Sequence, residues 1–277
     1  MSDERVHRVE SADGTTIVGR VHGRGSPLVL VHGAPHDGDT AWEGLVPLLS
    51  DYYTCFLPSL RGRGLSEDSA DHSPPRLEED VRAFVDGIGE PVFLTGWSAG
   101  VPWALAAAAH IGAVTAVAAY EPTIVPLIRG DDAASRDAMY LQFGEAAADG
   151  RLADAARAFH AFVCTENEIA SLDAGYFERC SASMPALLKA GQHGASYHGP
   201  VSTDPDVLAK VTAPVLLLRG QLTQLGTFYT DTERHVARHV ADPQVREPLP
   251  GLGHLAPLLG SEPVAKELMS FFGSSGG

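Results

Sequence analysis

Residues 91–103, running from Pro91 through Gly96-Trp97-Ser98-Ala99-Gly100 to Trp103, constrain the chain more than any other stretch. Val92, Phe93 and Leu94 are a short apolar run after a proline and read as a buried strand. From Val101 to His110 an Ala-rich segment has helix-forming composition. The five residues between them fit G-x-S-x-G. A serine on so tight a turn from strand to helix holds its Oγ clear of the sheet. Gly96 and Gly100 let the two backbones approach without a Cβ clash. The helix N-terminus favours negative charge building up beside it. The five-residue pattern alone is loose, and any glycine-flanked serine at a βα turn satisfies it. The strand before it and the helix after it give it meaning.

A chain of 277 residues holds one large α/β domain or two small ones, and 44% hydrophobic residues supply a sizeable core. The net charge of −15 argues against a nucleic-acid partner, which needs a basic surface. It argues equally against an anionic membrane face and is read as a solubility feature. Cys55, Cys164 and Cys180 are odd in number, widely spaced and without metal-ligand spacing. Buried thiols in a reducing compartment are expected, with no disulfide framework. The chain starts with charged residues that lead into no apolar run, so neither a signal peptide nor a membrane span is expected. The expected location is the cytoplasm.

Residues 4–10 and 15–22 alternate like strands around a turn at Ala12-Asp13-Gly14 and suggest a hairpin. Residues 27–31 are a continuous apolar run, typical of a strand buried on both faces, and end in His32-Gly33-Ala34-Pro35. Residues 39–50 read as an amphipathic helix and Tyr53 to Leu57 as the next strand. A glycine-rich loop, Arg61 to Ser66, follows, and then a helix over 75–88. After the Ser98 unit comes a strand over 113–120, ending at Tyr120-Glu121-Pro122. Residues 123–205 hold only Ala-rich helical segments, such as 151–163. The strand rhythm resumes at 214–220, with a helix over 227–240, a short strand over 244–249 and a closing helix over 262–272. Gly273 to Gly277 read as a disordered tail.

Strands alternating with helices predict a mostly parallel eight-stranded sheet flanked by helices on both faces. The domain division is a core in two parts, 1–122 and 206–277, with 123–205 inserted as a helical lid over the sheet's C-terminal edge. Ligands of open α/β sheets bind outside that edge.

Four signals in order then carry a resemblance: His32-Gly33-Ala34-Pro35 after the third strand, the Arg61–Ser66 loop after the fourth, the Gly96–Gly100 elbow after the fifth, and Gly253-His254 before the last helix. Over nearly its whole length the chain resembles the α/β-hydrolase fold superfamily. The resemblance implies that Ser98 is a nucleophile, since an unassisted hydroxyl needs a base in reach. It implies that His254, between the last strand and the last helix, is that base. The oxyanion would be held by the backbone N–H of Ala99 and by one from the loop after the third strand, each worth roughly 3 kcal/mol. Pro35 has no N–H, so Ala34 is the natural second donor. His32 reads as a structural residue of that loop.

The pattern departs where many members carry the orienting acid. Gln221-Leu222-Thr223-Gln224-Leu225 follow Gly220, and no carboxylate occurs before Asp231, in the next predicted helix. Thr223 holds roughly the expected place without a charge. Glu121, one strand after the nucleophile's, resembles the arrangement of some members, certain haloalkane dehalogenases among them. A Ser98–His254 dyad without acid is the fallback, and a cap at the lid entrance is the other reading of Glu121.

The implied function is a serine hydrolase acting on a small or medium carboxylic ester, thioester or lactone, with a small-molecule substrate and no cofactor. Gly62, Gly64 and Gly253 form no dinucleotide fingerprint. The alternatives are a lyase, cyclase or acyltransferase on the same site, or a ligand-binding protein with a vestigial triad. Trp97 is a candidate substrate contact or a packing residue. Phe159, Phe162, Tyr176, Phe177 and Met184 are lid core or pocket wall. His235 and His239, four apart on a predicted helix, could pair on a metal but fit a solvated face better. Substrate identity and oligomeric state are not encoded legibly.

Overall fold

Apolar runs without alternation demand cover on both faces of a sheet, and the structure provides it. The computed structural model describes residues 5–275. The charged residues 1–4 and the last two glycines, on which the leader reading and part of the tail reading rest, lie outside the described residues.

The strands are β1 (Val6–Glu10), β2 (Thr16–Gly23), β3 (Ser26–Val31), β4 (Tyr53–Ser59), β5 (Val92–Trp97), β6 (Val114–Tyr120), β7 (Val215–Leu218) and β8 (Pro243–Val245). They form one eight-stranded sheet in the order β1-β2-β4-β3-β5-β6-β7-β8. The β1–β2 hairpin is antiparallel, and β2 also runs antiparallel to β4. Every pairing from β4 to β8 is parallel.

The helices are α1 (Val46–Leu49), α2 (Pro74–Asp86), α3 (Gly100–His110), α4 (Asp131–Ala148), α5 (Leu152–Val163), α6 (Glu166–Ala170), α7 (Tyr176–Ser181), α8 (Met184–Ser196), α9 (Pro205–Leu208), α10 (Gly226–His239), α11 (Ala256–Leu259) and α12 (Ser261–Ser275). Successive strand residues feed opposite cores, as the two-residue period requires. Leu28, Leu30, Phe93 and Leu216 pack with α1 and α12, whereas Val29, Val31, Leu94 and Leu217 pack with α2, α3 and α10. Helices α4 to α9 lie between β6 and β7, and α4, α5, α7 and α8 share a third core of their own. Tyr176, Phe177 and Met184 belong to that core; Phe159 and Phe162 pack at its junction with the sheet core.

Three elements differ from their expectation. The helix expected over 39–50 is confined to Val46–Leu49. The Asp37 carboxylate accepts from the backbone N–H groups of Asp39 and Thr40 and from the Thr40 hydroxyl, so a side chain takes the donors a first helical turn would use. The strand expected over 244–249 ends at Val245 and resumes only as a bridge between Gly220 and Leu249. Pro248 has no N–H to give the ladder. Gly273 to Ser275, read as tail, complete the last turn of α12, held by Ser274 and Ser275 hydroxyls on the Phe271 carbonyl.

The Arg61–Ser66 loop is structural. Arg61 is fully buried and donates to both oxygens of buried Asp80 in α2, at 2.8 and 2.6 Å, and to Asp13 in the first hairpin. Removing one partner of a buried pair strands the other charge, at about 3–5 kcal/mol. Asp80→Ala should therefore lose about 3–5 kcal/mol in urea denaturation at an unchanged m-value, without touching the residues around Ser98.

Candidate active site

The turn after β5 holds Ser98 at φ 54°, a left-handed conformation that costs an L-residue roughly 1–2 kcal/mol. The flanking glycines permit the close approach. A Cβ on Gly96 would lie 2.7 Å from Val101 Cα, and one on Gly100 would lie 2.3 Å from the Val31 carbonyl oxygen. The Ser98 amide donates to the Tyr120 carbonyl at 2.9 Å, which pins the turn to the end of β6.

β6 then delivers Glu121, also left-handed at φ 49° and fully buried. Its Oε1 accepts from the Gly220 amide at 2.9 Å, and its Oε2 accepts from the Thr223 hydroxyl at 3.1 Å. Oε2 also lies 2.6 Å from His254 Nδ1. A carboxylate oxygen accepts, so the network assigns the proton to Nδ1 and leaves Nε2 with its lone pair.

The His254 loop is held from several sides. Trp97 Nε1–H donates to the His254 carbonyl at 3.0 Å, and the Tyr120 hydroxyl donates to the Gly253 carbonyl at 2.6 Å. The Leu255 amide donates to Glu168 of α6 at 2.7 Å. The Tyr229 ring stacks on the imidazole, with centroids 5.1 Å apart and planes 18° from parallel.

Ser98 Oγ hydrogen-bonds Thr123 Oγ1 at 3.1 Å. Among the described residues no hydrogen bond joins it to His254. Burial raises the Tyr229 phenol well above 10, so it keeps its proton. The loop after β3 runs alongside: a Cβ on Gly33 would sit 3.1 Å from Ser98 Cβ. Ala99 is the residue before α3. Ser98 and His254 are 5% and 2% exposed, so the site is closed to solvent.

Of the sequence candidates, Glu121 and Trp97 both contact His254, Ala99 follows Ser98 in the chain, and Ala34 follows Gly33 in the loop beside Ser98. Trp97 enters the site from behind, its indole buried against Trp42 and His36 and its N–H holding the His254 backbone. That is its packing reading. His235 and His239 stand apart, their rings 4.7 Å from one another and each bonded to a backbone carbonyl. Sequence reasoning missed Thr123, Tyr229 and Glu168, and it missed that Thr223 donates to the acid. The only signal for Thr123 was its place two residues past Glu121.

A family sequence profile described as "Alpha/beta hydrolase family" matches residues 28–267. The chain belongs to that family. A pimeloyl-(acyl-carrier protein) methyl ester esterase from Stenotrophomonas maltophilia is 39% identical over 126 residues, 45% of this chain and 47% of that protein. A soluble epoxide hydrolase from a Corynebacterium species is 34% identical over 90 residues, 32% of this chain and 31% of that protein. The chain spans about half the length, or less, of these curated relatives. The solved structure of a thermophilic esterase from Thermogutta terrifontis, with malate bound, superposes at TM-score 0.75 and 20% identity over 98% of this chain and 99% of that one. That likeness is one of fold.

Two predictions follow from the local physics. Ser98→Gly and Ser98→Ala both remove the hydroxyl, but only alanine keeps the left-handed strain. The glycine variant should be the more stable by about 1 kcal/mol in thermal unfolding; equal stabilities would show that the turn is unstrained. The second concerns His32. Its Nδ1–H donates to the Gly33 carbonyl and its Nε2 accepts from the Leu60 amide, so a proton on Nε2 would face a donor. Burial, helped by the Arg63 charge, lowers its pKa from 6.5 to about 3. Above 6.5 the contribution to stability is complete. Between 6.5 and about 3 the unfolded chain takes up a proton that the folded chain refuses, so stability is lost as pH falls. Urea midpoints across that window should decline, and His32→Gln should flatten the slope.

Proposed function

We propose that the protein is a serine hydrolase that cleaves a small or medium carboxylic ester, thioester or lactone. The observation that carries the reading is the 2.6 Å contact of His254 Nδ1 with buried Glu121, beside a serine held on a strained turn. A buried carboxylate at that nitrogen selects the tautomer with a free Nε2 and stabilises the imidazolium that forms later. This weakens the case for a lyase or acyltransferase, whose motive was the missing acid after Gly220. The esterase name of the Stenotrophomonas relative points the same way for its matched segment.

In the mechanism, Ser98 Oγ turns from Thr123 to His254 Nε2 and gives up its proton as it attacks the carbonyl carbon. The oxyanion is held by the amides of Ala34 and Ala99, two donors at roughly 3 kcal/mol each. The intermediate collapses, and the leaving alcohol, thiol or tethered hydroxyl takes the proton from His254. Water, deprotonated by the same Nε2, then releases the acid and restores Ser98. Thr123 holds the hydroxyl at rest, and Trp97 fixes the backbone of the base.

The helices between β6 and β7 act as a lid in this reading. A cleft of ≈ 350 Å³ between α4, α5 and the start of α10, lined by Met139, Phe162, Gln224 and Leu225 among others, adjoins the Thr223 segment and is the proposed approach for substrate. The substrate is a small molecule, and no cofactor takes part.

Intact mass after treatment with a fluorophosphonate tests the reading. Wild type should take one adduct and Ser98→Ala none. Glu121→Gln should label and turn over esters roughly 10⁴-fold more slowly, the effect of an uncharged orienting group. A folded wild type that neither labels nor hydrolyses any of a panel of esters, thioesters and lactones would sink the proposal.

A further inference from the structure

Behind Trp97 lies a second cluster of reactive side chains that ester cleavage does not use. His36 follows the Ala34 loop, His160 lies on α5, and Tyr176 and Cys180 stand one turn apart on one face of α7. The donor atoms of His36, His160 and Cys180 lie within 4.8 Å of one another. The Tyr176 hydroxyl sits among them, 2.6 Å from His36 Nε2 and 2.9 Å from His160 Nε2. All four side chains are buried. We infer that His36, His160, Cys180 and Tyr176 form a binding site for one divalent zinc-class ion, at the joint between the helical insertion and the loop that carries Ala34.

The donor chemistry selects the ion. Two imidazoles and a thiol suit a borderline-soft metal such as Zn²⁺ and not the oxygen-seeking Ca²⁺ or Mg²⁺. Four donors match the four-coordinate geometry zinc takes in closed sites.

The proton inventory favours it too. His160 Nδ1 lies 2.8 Å from the Ala156 carbonyl, which can only accept, so Nε2 faces the cluster as a bare lone pair. A metal-bound histidine has the same arrangement, its second nitrogen tied to a carbonyl. His36 Nδ1 is buried without a partner. With its proton on Nε2, His36 has an idle lone pair at Nδ1. With its proton on Nδ1, its Nε2 competes with His160 for the single Tyr176 proton. A lone pair is available either way.

A free thiol is protonated at neutral pH, so the ion must displace the Cys180 proton: Zn²⁺ plus the thiol gives the zinc thiolate and one H⁺ released to solvent, while Tyr176 keeps its phenol proton and ligates through a neutral oxygen. The bound ion would join α5 and α7 to the loop after β3.

Titration of chelator-treated full-length protein with ZnCl₂ and CoCl₂ tests the site. Wild type should bind one ion per chain and release a proton, read as a calorimetric enthalpy that depends on buffer ionisation. It should show a thiolate-to-cobalt charge-transfer band and a higher Tm with zinc. Cys180→Ser should lose the band, and Cys180→Ser and His160→Gln should each weaken zinc by more than the roughly 10–100-fold that loss of a supporting partner costs. Cys164→Ser and the double variant His235→Gln with His239→Gln should bind as wild type does. Two ligand variants are included so that misfolding of one leaves the other to decide. Absence of binding at millimolar zinc would overturn the inference. So would binding that survives both ligand variants, or that vanishes with His235 and His239 as an adventitious surface site.

Discussion

The carboxylate of Glu121 is a charge without access to water, and such a group is tolerated only where donors surround it. Three donors do so: an amide at Gly220, a hydroxyl at Thr223 and an imidazole N–H at His254. They come from the end of β7, the segment before α10 and the loop before α11. One side chain at the end of β6 therefore sets where the last third of the core meets the middle of the sheet. It also explains the uncharged stretch after Gly220. That segment does not lack an acid; it supplies donors to one on the neighbouring strand. A second carboxylate there would repel Glu121 at a few ångströms in a poorly screened interior.

Among the described residues only two non-glycine residues have positive φ, and they are Ser98 and Glu121. Each costs on the order of 1–3 kcal/mol and persists only where its surroundings hold it. Here the surroundings are identifiable. The Ser98 amide is bonded to Tyr120 O and the Glu121 amide to Leu218 O, so neighbouring strands clamp both backbones. Strain at two adjacent strand ends, with both side chains aimed into one site, is the pattern expected when geometry is held for chemistry and not for stability.

The parts legible in the sequence were those written in backbone terms. The elbow reads because glycine, and no other residue, permits 2.3–2.7 Å approaches at positions 96 and 100. The sheet reads because uninterrupted apolar runs mark strands covered on both sides. Glu121 was suggested by its place at a strand end together with the resemblance to family members that carry the acid there. What stayed hidden is tertiary. Nothing local marks Tyr229, on the buried face of an amphipathic helix, as the ring that stacks on His254. Asp37 looked like one more polar residue at the start of a helix, and its side chain instead withholds the amides a helix needs. The pairing of His36 with His160 joins residues 124 positions apart in the chain through Tyr176, which no periodicity anticipates.

Closure over Ser98 sets the remaining physical question: how a substrate reaches a serine that is 5% exposed. The insertion has an apolar core of its own, and Val163 and Cys164 at the end of α5 join it to the sheet core. Its polar ties to the core near the site are Tyr176 to His36, Glu168 to the Leu255 amide, and the Gln224 side chain to the carbonyls of Ala161 and Phe162. Such bonds contribute roughly 1 kcal/mol each, somewhat more where a carboxylate accepts, and water replaces them on opening. The Thr165–Glu168 capping box meanwhile keeps α6 intact on either side of such a movement. Local opening that breaks only such contacts costs far less than global unfolding.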